Sequence, residues 1–214
     1  IDSDDKRRVL KSINKEIPTA LLLSEVSKYK NSIMTPIEVK SQAQGKLYSE
    51  IAEIYEKYEE HLLKNNLVDF DDLLLLPYKI LKNNQKLAES TSQKYQYIMV
   101  DEYQDTNELQ YRLLRLLCSN HDNLCVVGDD DQSIYGWRGA TIKNILNFNE
   151  HFKRATIVKL EENYRSTDTI LHHANALIEH NRDRLGKKLV GTKDKGSSIK
   201  VYESHDENEE TRKI

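Results

Sequence analysis

The chain has 214 residues, 38% hydrophobic and 31% charged, with 32 Lys and Arg against 35 Asp and Glu and a formal net charge of −3. Its longest apolar run, four leucines at 73–76, falls far short of the ~20 apolar residues a membrane-spanning helix needs, while periodic apolar positions and 12 tyrosines argue against wholesale disorder. Charge is balanced along the chain: 11 basic and 11 acidic residues in 1–65, 10 and 13 in 66–158, 11 and 11 in 159–214. That excludes a strongly basic domain of the kind that holds DNA mainly through its phosphates, so any nucleic-acid contact is expected to be local. Cys118 and Cys125 are too few for a disulfide framework or a four-cysteine zinc site. With no leader-like segment at Ile1, the expected setting is reducing and cytoplasmic, and the chain reads as a piece of a longer polypeptide.

The first third predicts helices. Leu47, Ile51, Ile54, Tyr55, Tyr58 and Leu62 fall on one face of a long amphipathic helix, and Thr35-Pro36 marks a turn before it. Lys6, Arg7, Arg8 and Lys11 read as a solvated basic face. In the middle third, the apolar run at 97–100 predicts a strand. A helix carrying Leu109, Leu113, Leu114, Leu116 and Leu117 follows, and then a second strand at 124–127 ends at Gly128. A third run at 157–160 precedes a helix with Ile170, Leu171, Ala174, Leu177 and Ile178. Another strand is expected at 199–202, with an acidic tail after it. Short apolar strands alternating with helices predict an α/β layer with a parallel sheet.

Three segments carry chemistry. Asp101-Glu102 follows the first strand, at the sheet edge where ligands of open α/β sheets bind. An Asp there can hold Mg²⁺ and its neighbouring Glu can deprotonate an attacking water. An isolated Asp-Glu pair is more often simply helix N-terminal charge; the flanking Gln104 and Asp105 and the downstream segments reverse that preference. Asp129-Asp130-Asp131-Gln132-Ser133 follows the second strand and leads to Tyr135-Gly136-Trp137-Arg138-Gly139. An indole in such a loop can stack on an unpaired base and Arg138 can meet a phosphate, although most Trp residues are simply core. Glu162-Asn163-Tyr164-Arg165-Ser166-Thr167 joins a strand to a helix that Ser166 or Thr167 can cap. Arg165 there can reach a phosphate, or form an ordinary salt bridge.

Taken together, Asp101-Glu102-Tyr103-Gln104-Asp105-Thr106-Asn107, the stretch 128–140 and the stretch 162–167 resemble motifs II, III and IV of superfamily 1 DNA helicases of the UvrD/Rep/PcrA type, in the same order. Val68-Asp69-Phe70-Asp71-Asp72-Leu73 resembles the segment leading back into that family's first motor domain. The resemblance implies a partial RecA-like parallel sheet with flanking helices plus an all-helical N-terminal accessory subdomain. The expected parts are the helical subdomain at 1–65, part of the first motor domain at 66–158 and the start of the second at 159–214. It implies a fragment of an ATP-dependent 3′–5′ helicase acting in repair or replication on single-stranded DNA and single-strand/duplex junctions.

By resemblance, Asp101 serves the Mg²⁺ that accompanies ATP, and Glu102 activates water. Gln132 contacts the γ-phosphate, Tyr164 lies near adenine and Arg165 supplies a finger to the γ-phosphate. Tyr135, Trp137 and Arg138 touch DNA, and Gln104 and Asp105 couple motif II to motif III. Glu162 stands where many relatives have Gln. Neither Gly45-Lys46 nor Gly186-Lys187 has the Gly-x-x-x-x-Gly-Lys-[Ser/Thr] spacing of a phosphate-binding loop. The alternatives are a metal-dependent nuclease, suggested by the acidic clusters and Glu38-Val39-Lys40, and a non-catalytic single-strand binding module.

Overall fold

A computed structural model describes residues 1–182 and 184–213, and the backbone alone of Arg138. It divides into two compact units, Ile1–Arg154 and Ala155–Ile214.

The first unit opens with four helices, α1 (Ser3–Ile13), α2 (Thr19–Asn31), α3 (Pro36–Gln42) and α4 (Gly45–Lys64). Most of the expected stripe on α4 is observed: Ile51, Ile54, Tyr55, Tyr58 and Leu62 are buried against Leu10, Leu22 and Val26 of α1 and α2, while Leu47, in the first turn, is exposed. Thr35-Pro36 starts a helix instead of only turning the chain. Thr35 Oγ1 accepts from Glu38 N–H, and Glu38 returns a carboxylate to the Thr35 N–H, a reciprocal cap with Pro at the first helical position.

Beneath this core lies an ionic cluster. The fully buried ammonium of Lys30 meets Asp72 Oδ1 at 2.8 Å, Asp69 Oδ2 at 3.1 Å and Glu59 Oε1 at 2.8 Å. Lys6 reaches Asp69 Oδ2 at 3.0 Å and Asp71 Oδ2 at 2.7 Å. Lys6 is therefore buried in ion pairs, correcting the solvated face expected for it, while Arg7, Arg8 and Lys11 are exposed. Two cations and four carboxylates fasten α1, α2 and α4 to the start of α5 (Asp72–Asn83).

After α6 (Gln85–Lys94), strand β1 (Ile98–Val100) pairs in parallel with β2 (Leu124–Val126), in register Ile98↔Leu124 and Val100↔Val126. The crossover is α7 (Glu108–Leu117), packed on α5 and α6, and Leu109 joins Leu75 and Tyr78 in a second, smaller core. Two short helices, α8 (Lys143–Leu146) and α9 (Phe148–His151), close the unit. The predicted α/β character is present.

The second unit pairs β3 (Glu162–Asn163) in parallel with β4 (Val190–Gly191) around α10 (Asp168–Ile178), and ends in α11 (Glu207–Lys213). Here two expectations fail. Residues 157–160 and 199–202 form no strand; Val158, Leu160 and Val201 are largely exposed, and no ladder reaches them. An apolar run becomes a strand only where a neighbour satisfies its backbone groups.

Candidate functional site

The turn after β1 is built on a buried anchor. Tyr103 is fully buried, packs edge-on against Phe148 at 5.6 Å and donates its N–H to Val127 O. Between strand and anchor, Glu102 has φ +50°, in the left-handed region that residues with a Cβ rarely adopt. That bend leaves Asp101 and Glu102 exposed at the strand's end, with Asp101 Oδ1 accepting from Glu102 N–H at 2.9 Å. A carboxylate so placed suits a Mg²⁺ that takes few protein oxygens and completes its shell with phosphate and water. Among the described residues, no group of three His, Cys, Asp or Glu side chains converges as a protein-only metal cage would.

A buried side chain joins the first and second sequence motifs. Gln104, 1% exposed, donates from Nε2 to Glu102 Oε2 at 2.7 Å and accepts at Oε1 from Asp129 N–H at 3.0 Å. Asp129 Oδ2 in turn accepts from Gln132 Nε2 at 2.7 Å. Glu102, Gln104, Asp129 and Gln132 therefore form a continuous hydrogen-bonded line from the end of β1 to the exposed tip of the next loop. Gly128 leaves room for it: a Cβ there would lie 2.7 Å from Gln104 Oε1.

Asp105 takes another course. Its backbone N–H donates to Glu102 O, while its buried Oδ1 has no hydrogen-bond partner. It lines an open cavity of about 350 Å³ together with Asp101, Glu102, Thr106, Val100 and Leu74. Of the two residues expected to couple the motifs, Gln104 is the one that bridges them.

Trp137 sits in a single helical turn, Gly136–Arg138, that Gly139 ends at φ +88°, donating its N–H to Gly136 O. The indole is 74% exposed, with its ring centroid 6.3 Å from that of Tyr135. The Arg138 side chain lies outside the described residues. The loop returns to the first motif: Thr141 N–H donates to Thr106 O at 2.9 Å, and the buried Asn144 amide donates to Thr106 O and Thr106 Oγ1. Asn107 then caps α7 and donates to Asn31 of α2. Sequence reasoning missed Asn144 and Asn31, because a lone Asn carries no periodic or motif signal.

Tyr164 and Arg165 belong to the second unit, where both are exposed. Tyr164 donates its hydroxyl to Glu162 Oε2, which holds the phenol's proton and raises its pKa. Asn163 Oδ1 accepts from the N–H groups of Arg165 and Ser166, shaping the turn into α10. Thr167 occupies the cap position of α10, but its side chain makes no capping bond.

Residues 2–153 match the family described as UvrD/REP helicase N-terminal domain, and residues 158–214 match the UvrD-like helicase C-terminal domain. The chain is 39% identical over 221 residues to an ATP-dependent DNA helicase PcrA of Staphylococcus epidermidis, and 40% identical over 217 residues to that of Staphylococcus aureus. These alignments cover 100% and 98% of this chain but 30% of each relative, so the chain spans under a third of their length. With both family matches falling on its two structural units, the chain belongs to the UvrD/REP helicase family.

Proposed function

We propose that this chain is part of an ATP-dependent DNA helicase, holding the carboxylates that serve ATP hydrolysis beside a loop that grips single-stranded DNA. One observation carries the reading: the hydrogen-bonded line from Glu102 to Gln132, in the same loop system as a largely exposed indole. In this account Mg²⁺, bound with ATP, supplies charge neutralisation at the phosphates. Asp101 is the residue that would hold it. Glu102 takes the proton of a water whose oxygen bonds to the γ-phosphorus, as the bond to the ADP oxygen breaks. Gln132 donates to a γ-phosphate oxygen. By family membership we assign Arg165 a phosphate-contacting role and Tyr164 a place along adenine. Trp137 and Tyr135 stack on bases, and Arg138 meets the backbone phosphates.

By family membership we assign 3′–5′ polarity, action at single-strand/duplex junctions in repair or replication, and a cytoplasmic setting. Residues 1–65 serve as a helical accessory part, 66–158 belong to the first motor domain and 159–214 begin the second. A separate core within 1–67 supports the first of these divisions. No helix among the described residues is long and apolar enough to cross a membrane.

Trp137 is the chain's one Trp, so its fluorescence reports on the loop directly. Titration with oligo-dT is expected to quench it saturably, and Trp137→Ala is expected to weaken binding by ~1–3 kcal/mol. An unchanged emission at DNA concentrations that saturate binding would refute a stacking role.

A further inference from the structure

Asn107 opens α7 and serves two neighbours at once. Its Oδ1 accepts from Gln110 N–H at 2.9 Å and its own N–H donates to Gln110 Oε1 at 2.9 Å, which closes the cap of the helix. Its remaining polar group, Nδ2, donates to Asn31 Oδ1 of α2 at 2.8 Å. Asn31 is itself held: its Nδ2 donates to Ser27 O and to Asp71 Oδ1, each at 2.8 Å. Asp71 accepts in turn from Ser27 Oγ at 2.9 Å and from Lys6 Nζ at 2.7 Å. Turning either amide over would set two donors or two acceptors face to face, so each has a single orientation. A polar line of fixed sense thus runs from Lys6 of α1 through Asp71 and Asn31 to the first turn of α7.

The turn that ends at Asn107 is the one that carries Asp101 and Glu102. Its entry is held by the ladder of β1 with β2. Inside it, Asp105 N–H donates to Glu102 O at 3.0 Å and Thr106 Oγ1 donates to Tyr103 O at 2.7 Å. A turn closed on itself in this way has little slack, so the point where α7 starts decides where the two carboxylates stand. Asn144 holds Thr106 from one side, and Asn31 holds Asn107 from the helical part of the chain.

We propose that Asn31 is a positioning residue for ATP hydrolysis: through Asn107 it fixes the exit of the acidic turn, so the N-terminal helices set the placement of the carboxylates without touching the nucleotide. This role rests on the reading of Asp101 and Glu102 as the carboxylates that serve hydrolysis. Two substitutions break the contact from opposite ends. Asn31→Leu keeps the approximate volume and removes the polar partners. Asn107→Asp keeps α7 capped, since Asp caps a helix as well as Asn does, and sets a carboxylate oxygen against Asn31 Oδ1.

The test is steady-state ATP hydrolysis by the full-length protein at saturating oligo-dT, for wild type, Asn31→Leu, Asn107→Asp and the double variant. In each single variant kcat is expected to fall about fivefold or more, as displaced catalytic groups imply, while the KM for ATP stays within about threefold. The double variant should fall no more than about twofold below the weaker single one, because both changes remove the same contact. Asn107→Asp supplies the answer if Asn31→Leu does not fold. Wild-type kcat in the folded single variants overturns the proposal, as do losses that multiply in the double variant, or a loss accompanied by a raised KM and a lowered Tm. Glu102→Gln in the same protein separates the two levels. If it hydrolyses ATP like wild type, the reading of the acidic turn falls and the proposal with it. If it is inactive while Asn31→Leu and Asn107→Asp turn over like wild type, only the proposal falls.

Discussion

Replacing Lys30 with Met tests the packing account most severely. The Lys30 side chain is fully buried, with three carboxylates at 2.8–3.1 Å and the Tyr58 ring centroid at 5.3 Å. Met fills nearly the same volume, so the change removes charge with little change of shape. It strands Glu59 and Asp72, while Asp69 keeps Lys6 at 3.0 Å, and breaking a buried pair from one side costs ~3–5 kcal/mol. At ~2–4 °C per kcal/mol for a domain of this size, Tm should fall by about 6–20 °C in thermal unfolding followed by circular dichroism. The pH dependence adds a signature. Burial pushes the Asp69 carboxyl up, but Lys6 and Lys30 outweigh it and hold its pKa below the usual range. Its stabilisation is therefore present above the unfolded value of ~3.9 and is lost as pH falls toward the lower folded value. Glu59 has the opposite sign: burial raises its pKa against the pull of Lys30, so stability is lost as pH rises from ~4.3 through the raised folded value. Without Lys30, the stranded carboxylates take up protons more readily, and the penalty should shrink between pH 7 and pH 5. A penalty under ~1 kcal/mol, or one that does not shrink on acidification, would refute the reasoning.

Three further outcomes follow from single contacts. Gly128→Ala would bring a Cβ within 2.7 Å of Gln104 Oε1 and 3.2 Å of the Tyr103 backbone nitrogen, and should cost ~1–3 kcal/mol in urea unfolding while deprotecting the Asp129 amide to hydrogen exchange. Wild-type stability with an equally protected amide would contradict it. Tyr103→Phe removes a buried hydroxyl that has no hydrogen-bond partner and whose pKa burial pushes up to about 12, so unfolding should show a change within ~1 kcal/mol or a gain; a loss above ~2 kcal/mol would mean that the hydroxyl is bonded. The chain by itself should release negligible phosphate from ATP with or without DNA, because neither Gly-Lys pair has the spacing of a phosphate-binding loop; robust DNA-stimulated release would overturn that.

Local pattern carried much of the architecture. The stripe on α4, the two apolar runs of β1 and β2 and the leucines of α7 each declare their element through periodicity, and the parallel pairing follows from a helix between two strands. The failures share a cause. Residues 157–160 and 199–202 look like strands alone, but strand formation depends on a neighbour that local sequence does not encode. Lys6 and Lys30 look like surface lysines, because the acids that bury them lie at 59, 69, 71 and 72. In the site, the residue types of each motif were legible, whereas the exposure of Trp137 was left open by the residues themselves and was implied by the resemblance alone. The geometry between motifs was not. That Gln104 bridges them while Asp105 faces a cavity, and that Asn144 ties the indole loop to Thr106, depends on where two loops meet.

The account's central claim is that carboxylates at the end of β1 and the indole in the following loop system act as one device. DNA-stimulated ATP hydrolysis by the full-length protein tests it directly, read for wild type, Glu102→Gln and Trp137→Ala over a range of oligo-dT concentrations. The account predicts that wild type is stimulated, that Glu102→Gln loses hydrolysis by ~10² or more, and that Trp137→Ala needs about tenfold more DNA for half-maximal stimulation. Wild-type turnover by Glu102→Gln, or half-maximal stimulation of Trp137→Ala at the wild-type DNA concentration, would contradict it.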